Sequence, residues 1–278
     1  MRLLSFRTAV QLEAAAGSWL ATDGRTNNLI LSRLKAAIQH GGPADCSLVV
    51  AADEPQMALL AASPHAVLSG GSARAAEFLA KHLEVDIPQF VGPADAADAF
   101  AAHLIQKTGR AGHVNMQMTF YTLDRAEPFS SPAGSLRPAT PEEFHELAPL
   151  AVAAEQEMHV GLPVPDPAAI ETTLRQAIDE GQQFVWQEGP TIRAIASYVT
   201  ALDHGGARIR GVYTPPAFRG RGFGTAITGA LAGRLLSTGQ AWVALFADNA
   251  NPTSTGIYRR LGFQPHSVFR TWRFTCKA

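Results

Sequence analysis

Between Arg219 and Gly224 the sequence reads RGRGFG, followed by Thr225 and Ala226. Two arginines alternate with Gly220, Gly222 and Gly224, behind the stiff entry Pro215-Pro216. A strand-like run, IRGVYT, comes before the stretch, and a helical run, AITGALAGRLL, comes after it. A helix start leaves backbone N–H groups free and carries partial positive charge. Glycines let an anion approach that backbone, and arginine adds forked donors suited to phosphate oxygens. The chemistry these residues favour is capture of a phosphate or diphosphate at a strand-to-helix junction. A GxxxxGK[ST] loop is excluded because no lysine follows the glycines. A GxGxxG fingerprint fails because Thr225 stands at its sixth position, and Ala241 to Ala247 supplies no acidic ribose partner.

Downstream, Asn251 to Phe263 reads NPTSTGIYRRLGF, with the strand-like WVALFA between it and the glycine loop. Together the two segments resemble the GCN5-related N-acetyltransferase (GNAT) superfamily: its acetyl-CoA loop, R-G-x-G-x-[GA], and its later Asn, Tyr and Gly-Phe segment. The resemblance runs from about Ser135 to Ala278. It implies acetyl-CoA as cosubstrate and a strand, ARIRGVYT, that opens from its neighbour and offers its edge to pantetheine. Val212, Tyr213 and Thr214 lie on that edge. The diphosphate would fall to Arg219, Gly220, Arg221, Gly222, Phe223, Gly224 and Thr225. Asn251 would lie near the coenzyme or cap the helix beginning at Pro252. Tyr258 matches the tyrosine that approaches the sulfur, where a phenol can donate to a leaving thiolate. The same position, beside Ile257 and three before Leu261, also suits packing of the helix on a sheet.

Acetyl transfer to an amine also needs the amine neutral, which calls for a base. Some members of the superfamily carry a glutamate on the strand before the loop, but RIRGVYT has no acid. Glu157 is the first candidate, ahead of Glu155, and one of the two is expected to be a solvated surface carboxylate. Two residues apart on a helix, they cannot share a face. Asp203 and His204, in LDHGG, read as turn residues, and an ordered water without a protein base is an equal alternative. No His, Cys and Asp grouping has metal-ligand spacing, so no metal is expected. The expected activity is N-acetyl transfer to a primary amine of a small molecule or peptide, by direct attack on the thioester. The alternative is a coenzyme A-binding regulatory or scaffold protein without turnover.

These residues must be positioned by a folded framework, and the composition permits one. The chain has 278 residues, 46% hydrophobic and 17% charged, and a formal net charge of -1. That balance offers no basic field for nucleic acid. No apolar run is long enough for a membrane span, and the N-terminal stretch lacks a signal-peptide core. The two cysteines, Cys46 and Cys276, suggest no disulfide framework. A cytoplasmic monomer or homodimer is expected. Helical patterns at Ala9–Leu20 and Thr26–Gln39 lead into strands SLVVAA, MALLAAS and AVLSG, then a helix capped by Ser72. A short strand, a helix over Ala94–Lys107 and the strand HVNMQMTFYTL follow. Asp124 to Ser135, rich in Pro, Ser and Gly, reads as a linker. Beyond it a short extra strand, SLRPAT, opens a similar order: a helix entered through Thr140, Pro141 and Glu143 and kinked or divided at Pro149, a second helix, three strands, the glycine loop and its helix, strand, helix, strand. The expected class is α/β (α+β), with two GNAT-like domains, each a mixed, mostly antiparallel twisted sheet flanked by helices. Residues 1–125 form a degenerate copy and residues 135–278 the acetyl-CoA-binding one.

Overall fold

In the computed structural model the described residues are 1–40, 46–61, 65–158, 164–200 and 205–275. Asp203 and His204 lie outside them. The first half contains β1 (Arg2–Phe6), α1 (Ala9–Thr22), α2 (Asn28–His40), β2 (Cys46–Ala51), β3 (Pro55–Ala61), β4 (Ala66–Leu68), α3 (Ala73–His82), β5 (Gln89–Pro93), α4 (Ala94–Thr108) and β6 (Gly112–Leu123). The second contains β7 (Ser135–Pro138), α5 (Phe144–Met158), α6 (Pro167–Asp179), β8 (Gln183–Glu188), β9 (Thr191–Thr200), β10 (Gly206–Tyr213), α7 (Phe223–Ser237), β11 (Trp242–Asp248), α8 (Pro252–Arg260) and β12 (Gln264–Phe274).

Local chemistry explains the boundaries. Thr8 and Ser72 accept from Gln11 and Ala75 N–H at the starts of α1 and α3. Thr140 and Glu143 form the anticipated capping box, on a short 3-10 turn that leads into α5. The helix then runs through Pro149 as one element, so Pro149 does not divide it. Pro149 sits near the N-terminal end, where the bond it forfeits is to the first turn.

All strands of the described residues join one sheet, ordered β1-β2-β3-β4-β5-β12-β6-β11-β10-β9-β8-β7. The last strand of each half has crossed to the other. β12 lies between β5 and β6, antiparallel to both, and β6 lies between β12 and β11. The crossed strand is pinned in the first half by Asp98 of α4, which accepts from Arg270 and from Trp272 Nε1. Only β4–β5 and β10–β11 are parallel pairs, and both ladders are short.

Strand alternation sorts the core into two faces. On one, α1 and α2 cover Val49, Ala58, Phe120, Ala244 and Phe269, while beside them α5 and α6 cover Val185, Ile195 and Tyr213. On the other, α3 and α4 pack on Leu59, Phe90 and Phe274, and α7 and α8 pack on Ile209, Leu245 and Tyr121. The Asp124–Ser135 connection has no regular element, yet it is packed. Phe129 joins the cluster under α7, and the carbonyl of Ala133 accepts from Trp186 Nε1.

Candidate active site

The ladder between β10 and β11 pairs Gly206 with Trp242, Ala207 with Val243 and Arg208 with Ala244, then stops. From Ile209 onward the two strands part, leaving one edge of β10 open. On its other side β10 stays paired to β9, with a bulge between Arg210 and Tyr213 where Gly211 has φ +60°. A bulge shifts side-chain parity. Ile209 therefore faces α7, while Tyr213, four residues on, faces α5. Val212 packs toward the α7 side.

The glycine loop closes the far end of this opening. Gly220 and Gly222 have φ of +73° and +84°, a left-handed backbone that favours glycine. Gly222 is the N-cap of α7 and has no side chain to cap it. Among the described residues, no backbone N–H from Gly220 to Thr225 has a hydrogen-bond partner. A run of free donors at a helix start, on glycines, fits a diphosphate. A Cβ at Gly220 would meet no atom within 4 Å, so the requirement there is the dihedral and the exposed amide, not packing space. Phe223 is buried in the core, and its ring lies under the Arg221 guanidinium at 5.3 Å.

The equivalent turn of the first half, Ser69 to Ser72, is closed. Gly70 N–H donates to Asn27, and Ser69 N–H to Ala58. A Cβ at Gly71 would stand 2.7 Å from the Gln56 carbonyl oxygen. The backbone there is spent on the protein itself.

Glu157 and Arg219 are placed together. Arg219 Nη2 donates to both carboxylate oxygens of Glu157 at 2.7 Å, and its Nε donates to the Thr214 carbonyl at 2.9 Å. The Arg219 guanidinium also lies 5.6 Å from the Tyr213 ring centre. Both partners are about half exposed, so the pair joins the end of α5 to the loop across a solvated surface. Burial, then the Glu157 charge, raises the Tyr213 phenol above its usual range. Asn251 caps α8, its Oδ1 accepting from Ser254 N–H at 3.1 Å, as its sequence position suggested. Tyr258 is 7% exposed, within the cluster under α7 and α8, with the Tyr121 and Phe263 rings 6.4 and 6.1 Å away. Burial raises its phenol well above the ordinary value, and a hydrogen bond with Ser254 opposes that shift. It is held as a neutral donor.

Sequence reasoning missed three arginines. Arg208 and Arg210 alternate with Ala207 and Ile209, so they share the face covered by α2 and α5. Arg208 Nε donates to Asn28 Oδ1 at 3.0 Å and its Nη2 to Ser32 Oγ at 3.1 Å, both on α2. Burial first, then the charges of Arg210 and Arg33, lowers the Arg208 pKa to about 9, still protonated at neutral pH. Arg33 and Arg210 are shifted down too, mainly by burial, and the Glu155 charge acts on both in the opposite sense. The strict Arg-x-Arg alternation opposite Ala207 and Ile209 was the available signal.

Among the described residues, no group of three or more His, Cys, Asp and Glu could hold a metal ion, and no helix is long and apolar enough to cross a membrane.

Residues 188–272 match the family model described as FR47-like protein. No curated protein matches the chain. Among solved structures, a GNAT-family acetyltransferase from Colwellia psychrerythraea aligns over 100% of both chains, with a TM-score of 0.63 at 9% identity. A GCN5-related N-acetyltransferase from Sphaerobacter thermophilus gives 0.60 at 15% identity, over 98% of this chain and 95% of that one. A tandem GNAT protein from the clavulanic acid biosynthesis pathway gives 0.60 at 18% identity over 100% of both. With the parted strands, the glycine loop and the repeated element order, these likenesses give the chain the GNAT acetyltransferase fold in its tandem form.

Proposed function

We propose that the protein is an acetyl-CoA-dependent N-acetyltransferase acting on a primary amine, with one coenzyme per chain, held by the second half. The observation that carries this reading is the run of free amides from Gly220 to Thr225 at the end of an open strand edge. Arg221, Val212 and Thr214 extend the same surface. The coenzyme supplies an activated acyl group as a thioester. The residues of this chain bind it, exclude water around the acyl carbon and move protons. Tyr258, kept neutral by burial, donates its proton to the departing sulfur. Glu157, bonded through both oxygens to Arg219, holds the loop to α5. Glu155 is half-buried and its charge acts on Arg33 and Arg210, and we assign it, ahead of the Arg219-bound Glu157, to take the amine's proton.

Calorimetry with acetyl-CoA tests the reading. One site per chain is expected. Gly222→Asp, which sets a carboxylate against the diphosphate at a left-handed position, should abolish binding while the protein stays folded. Unchanged affinity in a folded Gly222→Asp protein, or two sites per chain, would refute it. A bound coenzyme with no thiol release across amine libraries would favour a coenzyme-binding module without turnover.

A further inference from the structure

Arg33, Arg208 and Arg210 come from both halves and meet on one face of the sheet, where α2 and α5 stand side by side over β10. Among the described residues the carboxylates acting on Arg33 and Arg210 are Glu155, on both, and Glu180, on Arg210. Among the described residues, the side-chain hydrogen bonds of Arg208 go to neutral oxygens, on Asn28 and Ser32. Two buried donors of the same group have no acceptor at all, Arg210 Nε and Asn28 Nδ2. Buried donors are rarely left unpaired. All three arginines nonetheless keep some contact with solvent and are not sealed inside. The group is short of both acceptors and negative charge.

Position gives the shortage a meaning. Arg208 is the last paired residue of the β10–β11 ladder, and Arg210 lies just past the point where the strands part. A ligand running along the open edge of β10 from the glycine loop ends at that point. We infer that this arginine group is the acceptor subsite and that the acceptor is an amine bearing a carboxylate, its acidic group bound by Arg33, Arg208, Arg210 and Asn28. This rests on the acetyltransferase reading above. The carboxylate brings oxygen acceptors in the plane that guanidinium forks match. Glu155, whose charge acts on Arg33 and Arg210, would take the ammonium end of such a molecule. The subsite needs both halves: α2 supplies Arg33 and Asn28, and β10 supplies Arg208 and Arg210.

The test starts with acetyl-CoA titration of the intact protein, since failure to bind it sinks the acetyltransferase reading itself. With binding shown, acetyl transfer is measured to alanine, β-alanine and glutamate, each beside its carboxamide. Removing the partner of a buried charge costs enough that the acids should exceed the amides in kcat/KM by at least about 30-fold. Arg210→Gln should shrink that ratio toward unity, and Arg210→Lys should restore part of it. Thermal melting checks folding, and Arg33→Gln on α2 replaces Arg210→Gln if the latter does not fold. If no amine turns over, the same pairs are titrated with coenzyme A present. Acids that react or bind no better than their amides, a ratio unchanged in Arg210→Gln and Arg33→Gln, or preference for an aminophosphonate over the matching amino acid would overturn the inference.

Discussion

At the scale of single residues, Tyr258 and the two glutamates of α5 carry separable roles. Tyr258→Phe keeps the ring among Tyr121 and Phe263 and removes only the hydroxyl, so stability should change little. A lost general acid should lower kcat by about 10²-fold, with acetyl-CoA affinity retained. Turnover within about twofold of the parent, roughly 0.4 kcal/mol on the transition-state scale, would leave Tyr258 a packing residue. Because burial raises its pKa, the donor form persists as pH rises. The pH profile of kcat should therefore show no alkaline fall from Tyr258 up to the ordinary phenol value of about 10. Glu155→Gln and Glu157→Gln separate base from latch. The first should slow turnover by about 10²-fold. The second breaks an exposed pair worth less than about 1 kcal/mol and should show itself in coenzyme affinity, with kcat kept. The reverse pattern, read from steady-state kinetics, would return the base to Glu157.

At the scale of elements, two glycines of α7 make opposite predictions. Alanine is the better helix former by about 1 kcal/mol. At Gly233 a new Cβ would meet only Ala126, at 3.8 Å, so Gly233→Ala should raise the melting temperature. At Gly229 it would stand 2.6 Å from the Phe129 ring and 2.8 Å from Leu261. Overpacking of that kind costs about 1–3 kcal/mol and outweighs propensity, so Gly229→Ala should lower the melting temperature. Phe129→Leu in the same chain should recover part of the loss. The contrast also shows what the sequence could reveal. Helices, strands and caps followed from period, Ser72, Thr140 and Pro252, and the loop followed from RGRGFG. Arg2–Phe6 was missed as a strand because five residues before a helical pattern have too little alternation to stand out. The arginine subsite escaped because alternation of Arg208 and Arg210 with Ala207 and Ile209 is shared by any strand with one polar face. Only the arrival of α2, from about 180 positions away in sequence, encloses them. The packing of the Asp124–Ser135 connection was equally hidden, since Phe129 finds Gly229 only in three dimensions.

At the scale of the whole molecule, the reading of 1–125 and 135–278 as separable units meets the crossed strands. A chain beginning at Ser130 would lack β6, baring the edge of β11 and stripping β12 of both neighbours. Unpaired edges template aggregation. Such a fragment should be insoluble or unfolded, and co-expression with residues 1–129 should rescue it. A soluble, cooperatively melting fragment, seen by calorimetry or circular dichroism, would show the crossing to be dispensable. Likewise, stopping the chain before Gln264 should damage the first half, because β5 and β6 then face an empty slot. That slot is filled by β12, which is translated long after β5 and β6. During synthesis the first half is translated in full yet stays unsealed while some 140 further residues emerge. Vectorial, domain-by-domain maturation is thus closed to this protein. Its nascent form must shelter the facing edges of β5 and β6 until β12 emerges, and slowing translation between β6 and β12 should make it a chaperone client.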